Sequence, residues 1–414
     1  MSMSRVLEVD PIPGGSAESS TVADSIDGEL LARVRNRLVG SGATLTSSAV
    51  ASAVREESGG LVADADVLAA LRLVQQEFRG AGVLEPLLRD PAVSDVLVTA
   101  PNKVWVDRGE GLQRAAVRFA DEDAVRRLAQ RLAVASGRRL DDAQPWVDAW
   151  LPQESASGPV RLHAVLPPVA GEGTCISLRV LRPAAHDLDA LCGSGAFDGP
   201  TAAVLREIVA TRLAFLVVGG TASGKTTLLA AMLGEVAESE RIVCVEEAAE
   251  LYPRHPHVVR LLTRPANVEG AGEIQVRDLV RQALRMRPDR LVVGEVRGGE
   301  VRELLAALNT GHDGGGGTLH ANSPQEVPAR MEALAALGGL PRAALHSQLA
   351  AAVQVVLHVR RSARRGRHLA GIGVLRRNGE LVEVLPAWQA ESGWGPGKGA
   401  LAALLAARGG ALPC

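Results

Sequence analysis

At 414 residues the chain is too long for one compact core, so two or three domains are expected. Hydrophobic residues make up 47% and charged residues 22%, as in an ordinary globular protein, and a net charge of −2 gives no global pull toward nucleic acid or anionic membrane. Aromatics are only 2%, so the cores must be built from Leu, Val and Ala, and the stacking platforms of single-strand nucleic-acid binders are missing. Cys175, Cys192, Cys244 and Cys414 are widely spaced and form no C-x-x-C pair, which argues against a zinc site or a disulfide framework. The N-terminus has no basic segment followed by an apolar one, and no run approaches the roughly 18 apolar residues of a membrane span. These features together lead to the expectation of a cytoplasmic protein whose membrane contact, if it has one, is peripheral.

In chain order, residues 1–27 are rich in Ser, Gly, Pro and acids and read as a disordered tail. Residues 28–80 carry two helical patterns, at 29–38 and 64–78. An α+β domain is expected over 81–182, with short strands at 96–98 and 103–106 around the turn Ala100-Pro101-Asn102. An amphipathic helix at 123–135 follows, then a strand pair at 161–166 and 176–181. Residues 183–200 read as a linker. From 201 to 388, apolar runs at 213–218, 241–245, 258–262 and 291–293 alternate with helical patterns, which implies an α/β sheet of mostly parallel strands. Asn378-Gly379 between two β-like runs is a hairpin signal. Residues 389–414 are Gly- and Ala-rich and read as a tail. The chain contains no internal repeat.

The chain has three lysines among 45 basic residues, and one of them closes the run Gly219-Gly220-Thr221-Ala222-Ser223-Gly224-Lys225-Thr226. This fits the phosphate-loop pattern of Gly, four residues, then Gly-Lys-Thr. The loop lies between an apolar strand and a helix-forming run that starts at Thr227. That context points backbone N–H groups and a helix N-terminus at one anion. Lys225 would reach the β- and γ-phosphates, and the Thr226 hydroxyl would ligate magnesium. A compact ammonium suits a crowded phosphate better than the planar fork of Arg, which the chain uses elsewhere.

Three later clusters narrow the chemistry. Glu246, Glu247 and Glu250 follow the strand at 241–245, where the carboxyl ends of parallel strands border the ligand crevice. A carboxylate there would polarise a water for attack on the γ-phosphate or hold magnesium through water. The strand ending Val293-Gly294-Glu295 serves as a Walker B element, whose Glu295 would orient water or hold magnesium through water. The third cluster is Gly311-His312-Asp313 followed by Gly314 to Gly317 and then Thr318-Leu319-His320. Four consecutive glycines raise the entropic cost of folding and are expected to form a loop that bends against the γ-phosphate or reports its loss. His320 would contact the phosphate or the carboxylates. No N-K-x-D element follows the phosphate loop, which argues against a guanine-specific GTPase.

These clusters, in this order, resemble the secretion-superfamily ATPases of type II and type IV secretion and pilus assembly, most closely the tight-adherence (Tad, CpaF-type) pilus branch. The resemblance spans about 82–385. It includes Gly82-Val83-Leu84-Glu85-Pro86-Leu87-Leu88, Gly137-Arg138-Arg139, Asn267-Val268-Glu269-Gly270, residues 284–298 and Asn309-Thr310-Gly311-His312-Asp313-Gly314. It implies a bilobed subunit with a RecA-like C-terminal domain and a smaller α+β N-terminal domain. It also implies a homohexameric ring, with ATP and Mg2+ bound at a cleft between the domains. Under it, Glu246 matches the acidic-box general base, Glu295 the Walker B glutamate and His320 the histidine-box histidine. Arg161 and Arg179 match arginines that reach toward the phosphates, and the phosphate loop extends through Thr227. The sequence departs from the family's pattern at Glu247 where Asp is usual, Ala222 where Gly is frequent, and Trp150 where Arg is expected. The paired zinc-binding cysteines of many type II enzymes are also absent, which favours the Tad-like branch.

The implied function is an ATP-hydrolysing motor for pilus assembly or secretion, working with inner-membrane platform proteins and without direct nucleic-acid contact. The alternatives are the ATPase of a conjugal DNA-transfer machine and a nucleotide-gated scaffold with little turnover. The complete set Glu246, Glu295 and His320 argues against the scaffold. Arg360, Arg361, Arg364, Arg365 and Arg367 form a basic run that reads as a solvated loop or as a contact with anionic lipid.

Overall fold

The computed structural model of the chain describes residues 47–57 and 80–413, except 110, 152–157, 182–186, 265, 267–269 and 363, and adds positions 33 and 37. The expected tail at 1–27 and the expected helices at 29–38 and 64–78 fall outside these residues, save that positions 33 and 37 are helical. The chain divides after Val180 into two compact units.

The first unit opens with helices α1 (Ser47–Glu57) and α2 (Glu85–Arg89). Strands β1 (Asp95–Ala100), β2 (Lys103–Asp107) and β3 (Leu112–Arg114) follow, then helix α3 (Glu122–Ala135). Strands β4 (Trp146–Leu151), β5 (Val160–Val165) and β6 (Cys175–Val180) complete an antiparallel sheet of order β3-β2-β1-β6-β5-β4. Alternation explains its two faces. Val160, Leu162 and Ala164 of β5 are buried in one core with Leu128 and Leu132 of α3, while Arg161 and His163 turn the other way. Asp121 caps α3 by accepting a hydrogen bond from the Ala124 N–H at 2.7 Å.

The second unit begins with α4 (Leu188–Gly193) and α5 (Gly199–Ala210), followed by β7 (Phe215–Val218) and α6 (Lys225–Leu233). Next come β8 (Ile242–Glu246), β9 (Val258–Leu262), α7 (Val276–Ala283) and β10 (Arg290–Val296). Helix α8 (Val301–Leu308), strand β11 (Gly316–Leu319), and helices α9 (Val327–Leu337) and α10 (Arg342–Ala352) lead to β12 (Val355–Ser362). Strands β13 (Gly366–Asn378), β14 (Leu381–Gln389) and β15 (Gly393–Trp394) precede the last helix, α11 (Lys398–Ala406). The sheet order is β15-β14-β13-β12-β7-β11-β10-β8-β9, parallel from β12 to β9 and antiparallel from β12 to β15. Strands β7 and β8 are buried at every position because helices cover both faces. Phe215 and Val217 enter one core and Leu216 and Val218 the other. The Asn-Gly hairpin forms as expected, with Asn378 opposite Leu381 and Gly379 at φ +61°.

Three expectations are corrected here. Residues 183–200 are not a bare linker: α4 and the start of α5 lie in them, with Leu188 and Phe197 buried in the core. Residues 389–414 are not a loose tail. They add β15 and α11, whose Leu401 and Leu405 are fully buried, because leucines four apart line one face of an Ala-rich helix. The glycine run is not a loop throughout either.

Gly314 to Gly317 are all buried, and the last two open β11 between β7 and β10. A Cβ at Gly316 would stand 2.1 Å from the Phe215 carbonyl oxygen, and one at Gly317 would stand 2.5 Å from that of Val293. Glycine is therefore required by the closeness of the neighbouring backbones rather than by mobility. Gly314 has φ +76° and backs onto the guanidinium of Arg290, which is 1% exposed. Arg290 donates to Glu240 (Nε to Oε2, 2.6 Å) and to the carbonyls of Gly314 (3.2 Å) and Val209 (3.0 Å). Burial alone would raise the Glu240 carboxyl, but its ion pairs with Arg290 and Arg212 hold it below the usual range. The pair thus locks the entry to β11 at the end opposite the phosphate loop. Gly316→Ala is expected to destabilise the second unit by about 1–3 kcal/mol through overpacking, read as a lower midpoint in denaturant. A mobile loop would tolerate the change.

Candidate functional site

The loop from Gly219 to Gly224 joins β7 to α6, and its backbone explains its composition. Gly219 (φ +157°) and Gly224 (φ +101°) bracket the turn. A Cβ on Gly219 would stand 2.3 Å from the Val359 carbonyl oxygen on β12, so no side chain fits there. Ala222 has φ +56°, a left-handed conformation that glycine holds at lower cost, which gives the departure at this position a physical meaning. Successive N–H groups and the start of α6 make an anion cradle. Ser223 Oγ is buried in it without a hydrogen-bond partner.

Lys225 is 8% exposed and donates to the carbonyls of Gly219 (3.2 Å) and Gly220 (3.0 Å). Burial lowers its pKa, partly offset by the charge of Glu295. Nζ also stands 3.4 Å from each ring nitrogen of His320, which follows β11. Burial, then the charge of Lys225, lowers the His320 pKa and so favours the neutral ring, against the charge of Glu295. His320 Nε2 approaches Glu295 Oε1 to 2.6 Å. Oε1 is buried and makes no hydrogen bond beyond this contact. Arg297 pairs with the other oxygen of Glu295 and, at 3.2 Å, with Glu247. The register of β7, β11, β10 and β8 therefore gathers Lys225, His320, Glu295 and Glu246 at the carboxyl ends of four neighbouring strands.

Glu246 ends β8 and is 3% exposed. Its Oε2 accepts from the N–H groups of Glu250 (2.9 Å) and Leu251 (2.8 Å), and its Oε1 is buried with no partner. Burial pushes this carboxyl up to about 7, against two backbone hydrogen bonds that lower it. It packs on Gly294, where a Cβ would stand 2.8 Å from Glu246 Cγ. The glycine before Glu295 thus makes room for the other glutamate.

Two members of the cluster had no assigned role in the sequence reading. Glu250 Oε2 stands 3.5 Å from Thr226 Oγ1, the hydroxyl expected at magnesium. Arg297 connects Glu295 with Glu247. Glu250 belongs to the acidic run already singled out and Arg297 lies two residues past Glu295, but only the fold shows which way they turn. Among the described residues no three His, Cys, Asp or Glu side chains form a metal cage by themselves. The donors present, one hydroxyl beside a carboxylate and a second carboxylate oxygen left unpartnered, suit magnesium. That ion keeps several waters and takes the rest of its shell from phosphates.

The other two expected residues lie in the first unit. Arg161 and Arg179 stand directly opposite each other on β5 and β6, with Trp150 opposite Arg161. Asp148 holds Arg161 through two hydrogen bonds of 2.9 and 2.6 Å, and Asp95 holds Arg179 at 3.1 Å. These carboxylates offset the like-charge pair. Arg360 and Arg361 lie within β12 and Arg367 within β13, so the basic run is largely strand, not a loop.

Residues 77–375 match the family described as type II/IV secretion system protein. A putative conjugal transfer protein of Mycobacterium tuberculosis is 65% identical over 85% of this chain and all of its own length. A probable conjugal transfer protein, TrbB, of Sinorhizobium fredii is 31% identical over 69% of this chain and 84% of its own. Among solved structures, the pilus retraction motor PilT with bound ADP superposes at a TM-score of 0.51, with 23% identity over 69% of this chain and 80% of PilT. That likeness is one of fold. The site described above therefore sits in a chain that belongs to the type II/IV secretion system protein family.

Proposed function

We propose that the chain hydrolyses ATP and uses the energy to drive a machine of the type II/IV secretion class. The observation that carries this reading is the cluster of Lys225, His320, Glu295, Glu246 and the Thr226–Glu250 pair beside one phosphate-loop cradle. A nucleotide switch without turnover has no need of a buried carboxyl with a free oxygen.

In this reading the loop N–H groups and Lys225 bind the phosphates, with Lys225 giving up its carbonyl partners for them. Glu246 Oε1 takes a proton from the attacking water. With its carboxyl near 7, it is ionised in part of the molecules at neutral pH, and in that ionised form it is a stronger base than an ordinary glutamate. Glu295 orients that water, and neutral His320 keeps Glu295 and Lys225 in register. Thr226, Glu250 and Glu295 would hold magnesium, which supplies charge neutralisation at the phosphate oxygens. Arg161 and Arg179 are assigned to phosphate charge stabilisation, to which guanidinium groups are suited. A homohexamer acting at the inner face of the membrane with platform proteins completes the proposal. Among the described residues no helix is long and apolar enough to cross a membrane.

The tight-adherence motifs favour a pilus as the driven machine. The conjugal-transfer names of the two relatives favour a second reading, in which the machine transfers DNA. Deletion of the gene separates them: loss of surface pili supports the first and loss of DNA transfer the second. A strain that keeps both would overturn both of these assignments of the driven machine.

Lys225→Ala is expected to abolish nucleotide binding, and Glu295→Gln to keep binding while slowing turnover at least ~100-fold. Wild-type hydrolysis by either variant would refute the mechanism. kcat/KM is expected to rise with pH through about 7 and then level off, as Glu246 loses its proton. Stability should move the opposite way. Because the folded value lies above the ordinary 4.5, the contribution of this carboxyl is complete below that pH and is lost as pH rises through about 7. In Glu246→Gln both dependences should flatten.

A further inference from the structure

Strand β12 runs parallel to β7 with His358 opposite Val218, so residues 359–362 continue past the point where β7 turns into the phosphate loop. The Val359 carbonyl is packed against Gly219. The partner strand β13 returns Arg367 to the same loop, where its Nε donates to the Ala222 carbonyl oxygen at 3.1 Å. Its Cδ and Cβ lie 3.6 and 3.9 Å from where a Cβ on Gly224 would be. The β12–β13 hairpin thus touches the loop at its first glycine, at its left-handed Ala222 and beside its last glycine. The hydrogen bond from Arg367 crosses from the hairpin to the loop tip and falls on Ala222, the residue of the loop that holds a left-handed backbone without being glycine.

We propose that Arg367 is a nucleotide-positioning residue, in addition to the hydrolytic set and resting on the ATPase reading above. By tying down the Ala222 carbonyl it turns the loop's carbonyls outward and its N–H groups toward the bound phosphates. Its guanidinium adds positive charge next to the same anion. The basic hairpin then has a specific task at Arg367 that charge density alone does not supply. Loss of the tie leaves a loop that must be ordered at the moment of binding, so affinity falls while the chemical step, made by other residues, is kept.

The test is titration of the full-length protein with a fluorescent, slowly hydrolysed ATP analogue in magnesium, alongside steady-state hydrolysis and thermal melts without nucleotide. Arg367→Ala is expected to raise Kd and KM about tenfold, with kcat within twofold of wild type and an unchanged melt. Arg367→Lys keeps the charge but not the fixed Nε–H, and is expected to recover only part of the affinity. A Kd for Arg367→Ala within twofold of wild type overturns the inference, as does a lowered melt, which marks a structural role, or full recovery by Lys, which marks charge alone. Lys225→Ala separates the two levels. If it lowers binding while Arg367→Ala does not, only this inference fails. If wild type and Lys225→Ala bind equally, or neither binds, the ATPase reading falls and takes the inference with it.

Discussion

The site depends on one packing constraint, the insertion of β11 between β7 and β10 at a distance only glycine allows. Strand β7 carries the phosphate loop and β10 carries Glu295. Side chains at Gly316 and Gly317 would push the two apart, and His320 would no longer touch both Lys225 and Glu295. The entropic cost of four glycines is offset by this closeness. The buried Arg290–Glu240 pair holds the far end of the same strand, so the chemistry at one end of the sheet is braced by an ion pair at the other.

Within that frame the electrostatics are arranged by burial more than by charge number. Glu246, Lys225 and His320 all shift toward their neutral forms, and removal from water is the leading cause in each case. In the proposed reaction, a buried carboxylate with one oxygen satisfied by backbone and the other free would accept a proton without first shedding solvent. A buried lysine resting on loop carbonyls would, in the same reading, exchange them for phosphate. Arg297 and Glu250 spread the remaining charge around the rim, so no single carboxylate faces the lysine alone.

Much of this was legible along the chain because its signals are local. The phosphate loop declares itself by fixed spacing, and β7, β8 and β10 by short apolar runs, since each must be buried on both faces. The Asn378-Gly379 turn follows from backbone conformation alone. Other features were hidden because composition misleads where context decides. The glycine run read as a loop, since nothing in one sequence reveals which backbones press on it. The Ala-rich end read as a tail, since Leu401 and Leu405 mean little until a sheet is there to receive them.

By itself, then, the sequence determined the strand–loop–helix order around Gly219 to Lys225, the glycine pattern of that loop and the short list of acids and histidine at strand ends, all properties of neighbours in the chain. Tertiary structure alone decided which of them meet. It set Glu250 toward Thr226, gave Arg297 to Glu295, left one oxygen of Glu246 free, and brought Arg367 from 145 residues away onto Ala222. The physical reason is that side-chain charge acts over a few ångströms in space. Distances of that kind are set by sheet register and backbone packing, and no local pattern encodes them.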